Sequence, residues 1–109
     1  MAVPIQMFND TANTSADTPQ KFYTAAAGGS GVQIDALTAT NNSTSNKSYK
    51  AYIALTTPTS PLKPFQVVVW GEVDLGTGIV NHVIPAGYSL WIESSAAGSI
   101  FFTGSGRTI

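Results

Sequence analysis

The sequence predicts an all-β fold, an antiparallel β-sandwich of jelly-roll-like design with about seven or eight strands. The composition, 43% hydrophobic and 10% aromatic, is that of a folded chain with a core. Short runs rich in β-branched and aromatic residues recur along the chain, separated by turn residues every dozen or so positions. No segment has helical periodicity. A chain of 109 residues is the size of one domain.

The N-terminal segment predicts an exposed arm. Residues 9–19 are polar, turn-prone and without periodicity, which places an arm at 1–19 and the β-sandwich domain at 20–109. The apolar side chains before the polar stretch are expected to contact a neighbouring chain: Val3, Ile5 and Phe8. A first strand of the sandwich is the alternative interpretation of the same residues.

Two strands follow the arm. Residues 21–24 form a possible short strand, and β-branched residues over 32–40 indicate a longer one. The alternation of the longer strand slips at 35–37, where a β-bulge would return Leu37 to the core.

The next elements are expected to form a hairpin. Residues 41–48 are a polar loop, and 49–55 alternate with a period of two. Together with 32–40, they predict two antiparallel strands joined by a long, flexible tip.

The middle of the chain contains a proline-rich linker and a strongly apolar strand. Residues 56–64 carry three of the six prolines and cannot form a central strand, so they are expected to carry the chain between sheets. Residues 65–75 are apolar on both faces in their middle, which predicts a strand buried on both sides, with a bend at Gly71.

The last third alternates turns and strands. Gly76–Gly78 and Pro85–Gly87 have the residues of turns, and the segments at 79–84, 88–94 and 100–106 are predicted strands.

Charge limits the classes of partner. Only 10% of the residues are charged, against roughly 25% in an average soluble domain. A neutral, hydroxyl-rich surface favours a subunit of an assembly, with a secreted β domain as the alternative. Five scattered basic residues argue against nucleic acid, and no apolar run is long enough to span a membrane. The start of the chain lacks a signal-peptide pattern, so synthesis in the cytoplasm is expected.

No catalytic, cofactor or metal site is predicted, so the chain is not expected to be an enzyme. His82 is expected to be half-buried in a strand, without the further ligands of a zinc site. Glu72 and Asp74 are expected to share a solvated strand face. Gly104–Gly106 lacks the strand-turn-helix context of a nucleophile elbow.

Outward-facing aromatic residues indicate an interface. Neighbouring aromatic and apolar residues on a strand face opposite sides, so some must point outward. The candidates for a subunit interface are Tyr52, Trp70 and Trp91. Either Trp70 or Trp91, together with Tyr52, could instead form a stacking platform for sugars, which gives the alternative of a carbohydrate- or receptor-binding module.

Three stretches, 32–42, 84–92 and 94–106, give an ordered pattern. It consists of a strand ending in T-x-T-N, a polar loop, I-P-A-G before a strand, a small-residue loop and a final glycine-ending strand. This pattern resembles a family of short β-sandwich proteins encoded among the virion genes of tailed bacteriophages.

The resemblance implies a structural role in the virion. It implies a capsid decoration (cement) protein on the capsid exterior, oligomeric and often trimeric, with the major capsid protein or other virion proteins as partners. A small neck or tail accessory protein is the alternative within the same family. The pattern carries no active-site residue.

Overall fold

The computed structural model describes residues 2–58 and 64–109, and it confirms the all-β prediction. These residues contain no helix and form nine strands. The strands are β1 (Pro4–Ala12), β2 (Gln20–Thr24), β3 (Val32–Asn41), β4 (Lys47–Ala54), β5 (Pro64–Val68), β6 (Val73–Asp74), β7 (Val83–Ile84), β8 (Ser89–Ser94) and β9 (Ile100–Thr108). Because β6 and β7 both pair with β3, they act as one interrupted strand, and the count of eight then falls within the predicted seven or eight.

The strands form two antiparallel sheets with jelly-roll connectivity. The first, called here the β1 sheet, has the order β1-β9-β3-β6, with β7 also paired to β3. The second, the β2 sheet, has the order β2-β8-β4-β5. The first strand therefore pairs with the last and the second with the penultimate, β3 pairs with β6 and β7, and β4 pairs with β5. This nesting is that of a jelly roll.

An aromatic chain joins the two sheets through the core. Phe8 and Phe102 come from the β1 sheet, and Phe22 and Tyr49 come from the β2 sheet. Their rings meet edge to face, with centroids 5.2 Å apart for Phe8–Phe22, 5.5 Å for Phe22–Phe102 and 5.1 Å for Tyr49–Phe102. Edge-to-face pairs of this kind stabilise a core beyond their buried area.

The prediction of an exposed arm is wrong for residues 4–12, which form the edge strand β1. This strand pairs antiparallel with β9, from Pro4 opposite Arg107 to Ala12 opposite Phe101. Phe8 is buried over Gly104, where an added Cβ would lie only 2.5 Å from the Phe8 ring. Because Gly104 has no side chain, the Phe8 ring has room to pack in the core of its own chain.

The rest of the predicted arm is the connection from β1 to β2. Its Asn13 is buried and donates from Nδ2 to the carbonyl oxygen of Ile92 at 2.7 Å. Asp17 N donates to the carbonyl oxygen of Ser94 at 2.8 Å. Asn13 and the backbone of Asp17 therefore attach this connection to the end of β8, while residues 14–18 are exposed.

The predicted bulge in β3 is confirmed. The register of β3 against β9 shifts between Ile34 and Ala36, and both Ile34 and Leu37 are buried. The extra residue at the bulge turns Leu37 back toward the core.

The predicted hairpin over 32–55 is wrong, because β3 and β4 lie in different sheets. The loop between them is fixed by the buried Asn41. Its Nδ2 donates to the carbonyl oxygens of Ser45 (2.8 Å) and Val68 (2.6 Å), and its Oδ1 accepts from Ser43 N at 3.0 Å. Alternation of apolar and polar residues with a period of two predicts a strand, but it does not indicate in which sheet that strand lies.

The chain also changes sheets later than predicted. Strands β4 and β5 belong to the same sheet, with Lys47 opposite Val68, so the proline-rich segment 56–64 does not carry the chain across. Residues 59–63 of that segment lie outside the described residues. The change occurs between β5 and β6, at the predicted bend, where Gly71 has a φ of 73°.

The turns at Gly76 and at Pro85–Gly87 are confirmed, but the strand predicted at 79–84 is reduced to β7. Both Ile79 N and Val80 N donate to the carbonyl oxygen of Gly76, at 2.9 and 3.1 Å. These bonds extend the turn past Gly78, and His82 is consequently exposed just before β7 rather than half-buried in a strand.

Candidate interaction surface

Trp70 occupies the corner of a tight turn. Glu72 N donates to the carbonyl oxygen of Val69 at 2.8 Å, and Gly71 supplies the positive φ that the third residue of a type II turn needs. Trp70, at the second position, is 60% exposed. The turn therefore presents a large aromatic side chain to solvent.

The same turn is fixed from below by Asn41. Gly71 N donates to the Asn41 carbonyl oxygen at 3.0 Å, and Asn41 N donates to the carbonyl oxygen of Glu72 at 3.3 Å. The bond from the Asn41 side chain to Val68 holds the strand that enters the turn. The turn is therefore held at both ends, and Trp70 projects from a fixed backbone.

Trp70 is part of a longer apolar ridge. Val69, Val73 and Leu75 are 41%, 52% and 62% exposed. Asp74 between them is buried, so Val73 and Leu75 point outward, as alternation on a strand requires. We call Val69, Trp70, Val73 and Leu75 the 69–75 ridge. These four exposed apolar residues within seven positions of the chain make the segment a candidate interaction surface.

Asp74 anchors the ridge to the core. It is buried and accepts a hydrogen bond from the hydroxyl of Tyr49, which packs on Phe102. Burial, followed by the bond to Asp74, raises the pKa of Tyr49 well above its usual value. The expectation that Glu72 and Asp74 share a solvated face is wrong, because Glu72 lies exposed beside the turn while Asp74 points inward.

A shallow groove of 420 Å³ continues the surface beyond Leu75. It opens because β6 pairs with β3 only at residues 39–40 and β7 only at 32–33, which leaves a gap between them. One wall is the bulged segment 35–38 of β3, and Leu75 and Val80 contribute to the other. At its end, Arg107 Nε lies 2.9 Å from Asp35 Oδ2.

The predicted interface residues separate into two groups. Val3 and Trp70 are exposed and Ile5 is half-buried, whereas the rest are buried: Phe8, Tyr52 and Trp91. Phe8 belongs to the core of its own chain, so it is not available for docking on a neighbour.

Tyr52 and Trp91 are brought together but do not form an open platform with Trp70. They lie directly opposite each other on β4 and β8. The Tyr52 hydroxyl donates to Glu93 Oε1 at 2.8 Å, and Trp91 Nε1 donates to the carbonyl oxygen of Ala54 at 3.2 Å. Trp70 lies apart, in the turn after β5. Because Tyr52 and Trp91 are buried and Trp70 lies apart from them, neither pairing of Tyr52 with a tryptophan forms an open stacking platform for a sugar.

Sequence reasoning missed three of the four ridge residues. Val69, Val73 and Leu75 belong to the run at 65–75 that was interpreted as one strand buried on both sides. Gly71 was the available signal, because a turn there divides the run and exposes its second half.

We predict that alkali destabilises the fold through its buried tyrosines. Burial, together with the bond to Glu93, raises the pKa of Tyr52 to about 12. The unfolded chain releases the Tyr52 proton near pH 10. The stability contributed by protonated Tyr52 is therefore fully present below about pH 10 and is lost as the pH rises through the pKa that Tyr52 has in the folded protein. Urea unfolding across this range should show falling stability, with a shallower decline for Tyr52→Phe. Equal declines for the variant and the unaltered protein would contradict this assignment.

Among the described residues, no three His, Cys, Asp or Glu side chains lie close enough together to hold a metal ion. The described segments also include no helix that is long and apolar enough to cross a membrane.

Comparison with protein-family models, curated proteins and solved structures finds no match for this chain.

Proposed function

We propose that this protein is a structural subunit of a tailed-bacteriophage virion, a decoration (cement) protein that binds the capsid exterior as a trimer and stabilises the shell. The observation that carries the proposal is the 69–75 ridge, with Trp70 fixed in an exposed position. A rigid, exposed tryptophan among aliphatic side chains has the properties of an interface anchor.

The fold and the sequence pattern support the viral part of the proposal. Jelly rolls of two nested sheets are used by viral capsid proteins, although lectin domains use them as well. The T-x-T-N and I-P-A-G stretches that resemble phage virion proteins fall at the end of β3 and at the turn before β8.

The distribution of charge supports one-sided docking. Lys21, Lys47 and Lys50 all lie on strands of the β2 sheet. On the β1 sheet, Arg107 is paired with Asp35. The ridge begins beyond the end of β5 and continues along β6, at the edge of the β1 sheet. An apolar contact there leaves Lys21, on β2 at the opposite edge of the β2 sheet, in solvent, and Lys47, opposite Val68, lies beside the start of the ridge.

Mass spectrometry of purified virions tests the location. A decoration protein should be present in hundreds of copies per particle. About a dozen copies or fewer would support the alternative of a neck or tail accessory protein, and absence from the virion would contradict both assignments.

A further inference from the structure

A second surface feature lies on the outer face of the β1 sheet. A pocket of 270 Å³ is lined by Asp10, Thr40, Asn42 and Phe101. These residues come from β1, β3, the loop after β3, and β9, so the pocket spans adjacent strands of one sheet. We call it the Asp10 pocket.

A bulge in β1 positions the acidic residue. The register between β1 and β9 shifts between Phe8 and Thr11, and Asp10 within the bulge has a φ of 50°. Its backbone is held by a bond from Asp10 N to Thr103 Oγ1 at 3.0 Å. Bulges of this kind re-aim side chains, and a non-glycine residue with positive φ carries a conformational cost that is often found at functional sites.

Phe101 provides an aromatic surface in the pocket. Its neighbours Ile100 and Phe102 are fully buried, so alternation turns Phe101 to the outer face, where it is half-buried. It lies opposite Thr40 of β3 on one side and Ala12 of β1 on the other. Its small neighbours leave part of the ring open.

The polar side chains around the Phe101 ring are free to bond to a ligand. In the described part of the chain, the side chains of Asp10, Thr40 and Asn42 make no hydrogen bond, although Asn42 N is fixed by the carbonyl oxygen of Ser99 at 2.8 Å. Together they offer a carboxylate acceptor, a hydroxyl, and an amide that both donates and accepts.

We propose that the Asp10 pocket binds one ring of a neutral saccharide. The apolar face of a sugar ring would stack on Phe101, and its hydroxyl groups would bond to Asp10, Thr40 and Asn42. The volume, 270 Å³, is below the roughly 300–1,000 Å³ that holds drug-sized ligands, so it suits a single ring. The Asp10 carboxylate disfavours anionic sugars, and one carboxylate is too few for a calcium site. This binding is independent of the ridge and of the proposed function.

The test is a titration of the isotope-labelled full chain, followed by backbone amide NMR, with glucose, galactose, mannose and N-acetylglucosamine. At least one of these sugars should shift the amide signals of Asp10, Asn42 and Phe101 saturably, with millimolar affinity. Asp10→Asn retains a residue suited to positive φ but removes the charge, and should weaken binding about tenfold. Phe101→Leu retains apolar volume but removes the ring, and should abolish binding.

Matched controls make the result specific. Ser105→Ala, on the same face of β9, and Trp70→Ala, on the ridge, should both bind sugar as the unaltered protein does. Failure of all four sugars to shift these signals would overturn the proposal, as would equal binding of sialic acid. Shifts centred on Trp70 would overturn it in favour of sugar stacking at the ridge. Loss of shell binding in Trp70→Ala with sugar binding intact would show that the two sites are separate.

Discussion

Replacing Phe102 with alanine is expected to lower the free energy of unfolding by about 3–5 kcal/mol. The Phe102 side chain is fully buried and lies between Phe22 and Tyr49 in the aromatic chain that joins the sheets. Its removal leaves a cavity at that junction and breaks two edge-to-face contacts. Urea unfolding followed by fluorescence measures the change, provided that the variant still folds at low temperature.

Two further variants make this prediction specific. Phe102→Leu fills most of the cavity and should cost clearly less than the alanine variant. Ser105→Ala, on the outer face of the same strand, should change stability by less than about 0.5 kcal/mol. If Phe102→Ala cost no more than Ser105→Ala, the packing of β9 against the β2 sheet would be incorrect.

Replacing Trp70 with alanine is expected to weaken binding to capsid shells strongly. Because the indole is exposed and its turn is rigid, truncation should leave stability nearly unchanged while removing the principal anchor of the ridge. We expect a loss of about 2 kcal/mol or more in binding free energy to shells, which corresponds to roughly thirtyfold weaker binding.

Tyr88→Ala is the matched control for this variant. Tyr88 is also an exposed aromatic residue, but it lies beside the turn at Pro85–Gly87 and not on the ridge. It should bind shells with the affinity of the unaltered protein. Equal losses for both variants would show that the ridge has no special part in docking.

The local elements of this fold were predictable because they depend on neighbouring residues. The bulge in β3 follows from a break in alternation at 35–37, and the turn at 85–87 follows from proline followed by glycine. In that turn, Tyr88 N donates to the Pro85 carbonyl oxygen at 2.9 Å, and Gly87 has a φ of 81°.

The pairing of distant strands was not predictable from local pattern. Whether 4–12 is an arm or a strand depends on β9, which lies almost a whole chain length away and opens a space for Phe8 at Gly104. Likewise, the hydrogen bonds that Asn41 makes to Ser45 and Val68 turn an apparent hairpin tip into a crossing between sheets.

The interaction surface was predicted only in part, for the same reason. Trp70 was identified as a spare aromatic residue, but Tyr52 and Trp91 find partners within their own sheet. Exposure of Val73 and Leu75 follows from the burial of Asp74 beneath them, where it meets the hydroxyl of Tyr49. A carboxylate in a strand gives no local sign that it points inward.

The proposed function requires this chain to attach to a capsid shell and strengthen it. The most direct measurement adds the purified protein to empty phage shells that lack it, quantifies the bound copies and follows the heat resistance of the shells. We expect saturable binding, in multiples that fit trimers, and disassembly at a higher temperature. Shells that bind no protein, or that bind it without any gain in heat resistance, would contradict it.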